Sequence, residues 1–277
     1  MKIGEILSRA TNTLFSKLGK SILAVLAYLL ISFLIGLLNI LPVIGGIAMY
    51  VLLIPIAFGF IKQFIKLYNG EEVNAFDFLN LGFEKFGMSW RVTGRLILKY
   101  IIPIIIMIIS SVFLVIGATT GILGSLGAEI NAEVLNFTLI IAIIGFIIAT
   151  FISIVLSLKY MFAYNELAYN DNATTGKEIV ENAAKNMKGN KGKLVGLYLV
   201  VILIVIGISL LLIVPVLGLI VFVAILLLVV PFIQFVMVAF YDSARKEKMQ
   251  NTGINIVLNE EVIFEQNNKP QDPIQNI

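Results

Sequence analysis

The sequence predicts an all-α membrane protein: a polytopic bundle of six transmembrane helices, built as three αα-hairpin repeats, with amphipathic helices on its cytoplasmic side. Three observations support this fold class. The apolar residues are concentrated in six long blocks, the basic residues all lie toward one predicted side, and the first and last thirds of the chain are similar. With 59% hydrophobic and 13% charged residues, the chain is more apolar than soluble domains, which have roughly one half and one quarter.

Each apolar block is long enough to cross a membrane as a helix. About twenty residues, rising about 1.5 Å each, span a hydrocarbon core about 30 Å thick. Backbone groups find no water in that core, so each block must satisfy its own hydrogen bonds as a helix. The predicted spans are residues 21–41, 46–68, 96–116, 137–162, 194–213 and 217–240.

The basic residues predict the orientation of the spans, because short loops that are rich in lysine and arginine stay in the cytoplasm. All 20 basic residues lie at or beyond the same ends of the spans. The opposite loops contain only Glu129 and Glu133 as charged residues. We therefore expect a multi-pass protein of the cell membrane with both termini in the cytoplasm.

The last third of the chain repeats the first third at an offset of 173 residues. The matching features are Glu5-Ile6 with Glu178-Ile179, Gly19-Lys20 with Gly192-Lys193, Tyr68 with Tyr241, and the corner ILPVIGG with IVPVLGL. Proline restricts the backbone and glycine frees it, so each corner is typical of a tight hairpin turn.

A middle unit fits this pattern more loosely, with Gly94-Arg95 before its first span and a longer outer loop at residues 118–136. We expect one six-helix domain at residues 1–241, followed by a flexible cytoplasmic tail at residues 242–277. The three repeats within the domain are residues 1–70, 73–165 and 174–241. Chance similarity between hydrophobic hairpins is the alternative explanation for these repeats.

Residues 3–18, 75–90 and 176–188 are predicted to form amphipathic helices, because apolar residues recur there at helical spacing. Thr175 and Glu178 form a capping box at the start of the third of these helices. Helices of this kind lie along the membrane surface or pack on the cytoplasmic end of a bundle. The sequence leaves both arrangements open.

The residue types that are missing from the chain exclude several kinds of chemistry. The chain has no Cys and no His, which removes disulfides, thiolate nucleophiles, sulfur-ligated metals and the commonest general base. We expect no catalytic activity, no cofactor and no metal. The net charge of +3 is modest and gives no reason to expect nucleic acid as a partner.

A basic residue follows a glycine before the first, third and fifth spans, namely Lys20, Arg95 and Lys193. If the repeats surround an axis, these residues would form a collar for anionic lipid headgroups, worth about 1 kcal/mol for each basic residue. Alternatively, they only fix the orientation of the spans. The first hypothesis is a protein that binds membrane lipids, with a protein partner or a second copy of the chain left open.

Polar and helix-bending residues within the spans suggest a second hypothesis, a transporter or channel for a lipophilic or neutral solute. The candidates are Gln234, Pro55, Pro103 and Pro231, since prolines bend membrane helices at the binding sites of transporters. The alternative is that Gln234 forms a hydrogen bond between helices and that the prolines only shape the bundle.

Small residues recur every four positions along the fourth span, at Gly145, Ala149, Ser153 and Ser157. They lie on one face of a helix and let a neighbouring backbone approach closely. The pattern predicts helix packing rather than a binding site.

The last third of the chain resembles a known family of uncharacterised prokaryotic integral membrane proteins, a domain of unknown function. The resemblance rests on SLKYMFAYNELAYNDNATTGKEIVENAAKNMKGNKGKL, followed by VPVLGL and VPFIQFVMVAFYDSARK. It implies a six-helix membrane fold that is distantly similar to the membrane regions of some glycerophosphodiester phosphodiesterases. It implies no catalytic or binding residue.

Overall fold

The protein is a bundle of helices. A computed structural model describes residues 2–41, 43–127, 132–170, 172–210, 222–223 and 225–251. Within these residues the regular structure is entirely helical, without strands, which confirms the all-α class. The helices are α1 Ile3–Ser16, α2 Leu18–Gly36, α3 Ile44–Tyr68, α4 Asp77–Glu84, α5 Phe86–Ser125, α6 Ala132–Tyr160, α7 Ala163–Tyr169, α8 Gly176–Asn186, α9 Lys191–Ser209 and α10 Val230–Asn251.

Six stretches among these residues are long and apolar enough to cross a membrane, which confirms the predicted number of spans. They are Leu18–Ile40, Ile44–Tyr68, Phe86–Leu123, Glu133–Tyr169, Lys191–Ser209 and Leu227–Gln250. The first two agree closely with the predicted boundaries. Parts of the predicted fifth and sixth spans, residues 211–221 and 224, lie outside the described residues.

The middle hairpin differs from the prediction of a longer outer loop at residues 118–136. α5 continues to Ser125 and α6 begins at Ala132, so most of the extra residues lengthen the two helices. The segment contains alanine, threonine and leucine and no proline, and α5 ends only just before Gly127, whose φ of 90° is typical of a helix C-terminus. Among the described helices, α5 of the middle hairpin is therefore the longest, with 40 residues.

The first hairpin corner combines a short 3-10 helix, Leu37–Ile40, with the start of α3 at Ile44. Gly45 lies against the carbonyl group of Leu38, where any Cβ atom would collide with it. Pro42 of this corner, and the whole second corner at residues 213–219, lie outside the described residues.

Most of the hydrophobic core lies at one end of the bundle, which we call the basic end. It consists of α1, α4, α7 and α8 with the adjoining ends of the long helices. α1 buries Ile6, Ala10 and Leu14 there, and α8 buries Ile179 and Ala183. The apolar faces of these amphipathic helices are thus covered by protein.

The amphipathic stretch predicted at residues 75–90 is broken in two at Lys85. α4 ends at Glu84 and α5 begins at Phe86, so the second half of the stretch belongs to a transmembrane helix. α4 buries Phe78, whereas Phe83 is 45% exposed. The predicted face is therefore only partly covered.

The amphipathic helices connect different hairpins. α1 packs against α10, α4 against α3, and α8 against both α5 and α7. Far from the basic end, by contrast, the spans carry large exposed side chains such as Phe33, Phe151 and Leu203, which are 64%, 68% and 68% exposed. A membrane would surround these apolar surfaces with hydrocarbon.

The last helix does not end at the predicted domain boundary of residue 241. α10 continues to Asn251, and its final turns pack against α1. The ordered domain thus extends ten residues beyond the prediction. The rest of the predicted flexible tail, residues 252–277, lies outside the described residues.

Candidate functional site

Two of the three predicted headgroup residues are held in ion pairs within the protein. Lys20 pairs with Glu72, and the Nζ atom of Lys193 lies 3.2 Å from Oε1 of Glu247. Arg95 is exposed and lines a cavity with Arg91. None of the five cavities found among the described residues is lined by more than one of these three residues.

Arg95 belongs to a row of basic residues along α5. Arg91, Arg95 and Lys99 are four positions apart, so they lie on one face of the helix. α8 packs beside this row, because Gly176 at its start lies directly against the backbone of Arg91. The cavity at this contact has a volume of about 500 Å³ and is also lined by Thr175.

The other end of α8 forms a second cavity that is lined mainly by lysines, which we call the lysine cavity. Its volume is about 400 Å³. Lys99 comes from α5 and Lys159 from the end of α6, while Lys185 and Lys188 lie at the end of α8. The full lining is Lys99, Lys159, Tyr160, Glu181, Ala184, Lys185, Lys188 and Lys191.

The charges around the lysine cavity are unbalanced. Glu181 is the one carboxylate of its lining, and its ion pair, at 3.9 Å, is with Lys177 outside the lining. None of the five lysines forms an ion pair with a residue that the structure describes. The Lys159 ammonium lies 4.9 Å from the centre of the Tyr160 ring, within the range of a cation–π interaction.

Other basic residues at the basic end have acidic partners. Lys66 pairs with Glu71 at 3.0 Å, and Lys246 pairs with Asp242 at 3.2 Å. Together with the pairs of Lys20 and Lys193, these contacts neutralise part of the positive charge around α1, α3 and α10. Positive charge without a partner is concentrated along α5, the end of α6, and α8.

We call this surface the basic patch. It comprises Arg91, Arg95, Lys99, Lys159, Lys185, Lys188 and Lys191. Sequence reasoning missed it because each of these residues also fits the positive-inside pattern. The available signals are the spacing of three residues between Lys185, Lys188 and Lys191 and that of four residues between Arg91, Arg95 and Lys99.

A buried polar cluster joins α7, α8 and α10. The Tyr241 hydroxyl donates a hydrogen bond of 2.6 Å to Oε2 of Glu166, and Asn186 donates to the same oxygen at 3.2 Å. Glu166 is 4% exposed and Tyr241 is completely buried. The sequence analysis identified Tyr241 as a feature of the repeat and did not predict a buried carboxylate.

This cluster is extended by Tyr169 and Arg245. The Arg245 guanidinium lies 5.1 Å from the centre of the Tyr169 ring, and the Tyr169 hydroxyl is buried without a hydrogen-bond partner among the described residues. Because the hydrogen bonds link three helices from two hairpins, we assign the cluster a structural role at the basic end.

The predicted kink residues lie apart from the five described cavities. Pro103, Pro231 and Pro55 are buried, and Gln234 is half-buried. None of the four lines one of those cavities. The hypothesis of a transporter or channel stays a prediction.

Two of these prolines have clear local effects. Pro55 has no N–H for the carbonyl of Val51, and the Trp90 indole N–H points to this oxygen at 3.4 Å instead. Pro231 directly follows a π-helical stretch, Ile225–Val229, because its ring and missing donor disturb the preceding turn. Both prolines therefore shape the bundle.

The predicted stripe of small residues lies partly against α5. A Cβ atom on Gly145 would collide with Ser110 of α5, and Ala149 is completely buried. Further along, Ser157 shares a hydrogen bond of 3.0 Å with Tyr100, while Ser153 is half-buried. The middle hairpin is thus closely packed along this face.

Comparison with known proteins gives a family but no activity. The profile of the family described as "Protein of unknown function (DUF975)" matches residues 1–248. No curated protein and no solved structure matches the chain, so the predicted similarity to phosphodiesterase membrane regions stays a prediction. Because the match covers residues 1–248 of the 277, including both basic cavities, the protein belongs to this family of unknown function.

Proposed function

We propose that the protein is a non-catalytic membrane protein that binds anionic lipids through the basic patch. The observation that carries this proposal is the uneven pairing of charge. Lys20, Lys66, Lys193 and Lys246, around α1, α3 and α10, have acidic partners, whereas the residues of the patch have none among the described residues. Positive charge without an internal partner attracts an external anion.

The position of the patch favours lipid as that anion. Lys99, Lys159 and Lys191 lie near the ends of the apolar blocks of the sequence, where headgroups would surround them. A basic residue near an anionic membrane surface contributes about 1 kcal/mol to binding. Several of them within one surface therefore give a strong and additive attraction.

Replacing Arg95, Lys99 and Lys188 by glutamine is expected to remove most of the bound anionic lipid, because three unpaired charges of the patch are lost. The measurement is native mass spectrometry of protein in nanodiscs that contain phosphatidylglycerol. The matched control is Lys2→Gln, Lys66→Gln and Lys246→Gln, which removes the same net charge outside the patch. Equal lipid retention in both variants would contradict the proposal.

We also propose that both termini lie in the cytoplasm and that the protein resides in the cell membrane. The support is the distribution of all 20 basic residues toward one end of the spans, since the cytoplasmic leaflet is the anionic one. The basic patch would then face that leaflet.

This orientation predicts a labelling pattern for single cysteines, which can be introduced cleanly because the chain has none. In intact cells, Ser125→Cys is expected to react with a membrane-impermeant maleimide. Asn69→Cys, at the basic end, is expected to react only after the membrane is permeabilised. Both residues are exposed, so access is limited by the membrane alone. The reverse pattern would overturn the proposed orientation.

We further propose that the three hairpins are copies of one ancestral unit. The helix boundaries support this idea, because α2 at Leu18–Gly36 and α9 at Lys191–Ser209 have the same offset of 173 residues at both ends. The cyclic packing, α1 on the third hairpin, α4 on the first and α8 on the second, is what an arrangement around an axis would produce.

A further inference from the structure

We propose that the lysine cavity is a specific site for one lipid whose headgroup carries at least two negative charges. This inference rests on the proposed lipid-binding function and names the ligand class of one part of the basic patch. It is carried by the charge, the size and the surroundings of the cavity.

The charge of the lining requires more than a singly charged headgroup. Five lysines face one carboxylate, Glu181, and Glu181 is itself shared with Lys177. A phosphodiester carries one negative charge, whereas a phosphomonoester carries about −1.5 to −2 at neutral pH and offers three strong acceptor oxygens. A phosphomonoester therefore balances more of the lysine charge than a phosphodiester does within the same volume.

The residue type also suits phosphate. A lysine ammonium is a compact charge with three rotatable donors, so several of them can surround one phosphate group as point charges. All basic residues that line this cavity are lysines. Its volume of about 400 Å³ lies within the usual range of small-molecule sites, about 300–1,000 Å³.

Apolar residues beside the lysine cavity, toward the middle of the spans, provide a surface for acyl chains. One helical turn deeper than Lys99, Lys159 and Lys191 lie Ile102, Val155 and Val195, and residues at this spacing share a helix face. These three side chains are 62%, 42% and 41% exposed.

Each of these three lysines therefore has exposed apolar surface beside it, on the side that faces the middle of its span. A ligand with a charged head and hydrocarbon chains matches both parts of this surface. Free phosphate matches only the charged part, so we assign the site to a lipid.

The test compares dioleoyl phosphatidate with dioleoyl phosphatidylglycerol on the full-length protein in detergent, by native mass spectrometry. We expect one tightly retained phosphatidate per chain and at least about fivefold weaker retention of phosphatidylglycerol, equivalent to about one lost charge interaction. Lys159→Gln with Lys191→Gln is expected to weaken phosphatidate binding about 25-fold. The control, Lys2→Gln with Lys66→Gln, is expected to leave it unchanged.

The outcomes separate this inference from the function on which it rests. Equal retention of both lipids, with both reduced by the basic-patch variant, would overturn the specific site and leave the proposed function intact. Insensitivity of both lipids to every patch variant would overturn the proposed function as well. Displacement of phosphatidate by millimolar inorganic phosphate would show that soluble phosphate is the ligand and would overturn the assignment to a lipid.

Discussion

Replacement of Gly59 by alanine is expected to destabilise the protein strongly. Gly59 of α3 lies directly against α4, and a Cβ atom there would collide with the carbonyl oxygen of Phe78. Gly82 of α4 fits against the carbonyl of Pro55 in the same way. Both obstacles are backbone atoms, so no side-chain rotation relieves the overlap and the two helices must separate.

Separation of α3 and α4 would also break contacts made by Gln63. This buried side chain donates to the carbonyl of Asn74 at 2.8 Å and accepts a hydrogen bond from the N–H of Phe78 at 3.1 Å. We expect Gly59→Ala to lower the free energy of unfolding by about 3 kcal/mol. The measurement is thermal unfolding in detergent, where the midpoint is expected to fall by about 6 to 12 °C.

The matched control for this prediction is Gly207→Ala in α9, where none of the described residues lies within 4 Å of the added methyl group. Alanine forms helices more readily than glycine by about 1 kcal/mol, so this variant is expected to be as stable as the native protein or slightly more stable. Similar midpoints for the two variants would contradict the close packing of α3 and α4.

The second large effect is expected at Tyr241. Tyr241→Ala removes a completely buried ring and leaves Glu166 without its shortest hydrogen bond, so we expect a loss of about 3–5 kcal/mol. Tyr241→Phe keeps the ring and removes only the hydroxyl, which is expected to cost about 1–3 kcal/mol. Unfolding midpoints in detergent measure both losses.

A double-mutant cycle isolates the hydrogen bond between these two residues. We expect Glu166→Gln and Tyr241→Phe to show a coupling of about 0.5–3 kcal/mol, because the first replaces the charged acceptor by a neutral amide and the second removes the donor. Tyr50→Phe serves as the control, since Tyr50 is 64% exposed. A coupling near zero would contradict a structural role for the cluster.

The six spans could be predicted from the sequence because the physics of the membrane acts on each segment separately. A block such as residues 46–68 must be long, apolar and helical whatever its neighbours do. The hairpin corner at Gly45 was predicted on similar local grounds. The prediction of a long loop failed at residues 118–136, where the absence of proline lets both helices continue further than in the other hairpin corners.

The lysine cavity could not be predicted from the sequence because its residues come from distant parts of the chain. Lys99 and Lys159 are explained locally as residues that reach from span ends to the interface. Only the packing of α8 against α5 and α7 brings Lys185 and Lys188 into the same cavity. In the same way, Lys20 and Lys193 matched the repeat, but their acidic partners Glu72 and Glu247 became visible only in three dimensions.

Burial of Glu166 has the same explanation. In the sequence it lies in a polar stretch, NELAYND, which is typical of an exposed connection after a span. Helix α7 forms there, and Asn186 and Tyr241 cover the carboxylate from α8 and α10. A hydrogen-bonded partner from another hairpin is not detectable by any local pattern.

The packing of α1 against α10 has a consequence for biosynthesis. The ribosome makes α1 first and its partner helix last, so the N-terminal segment must wait until nearly the whole polypeptide has been inserted. During that interval Ile6, Ala10 and Leu14 lack the protein surface that α10 provides, and we expect the membrane surface to cover them. The contact between α1 and α10 is thus expected to close after translation, when α1 leaves the lipid and docks onto α10.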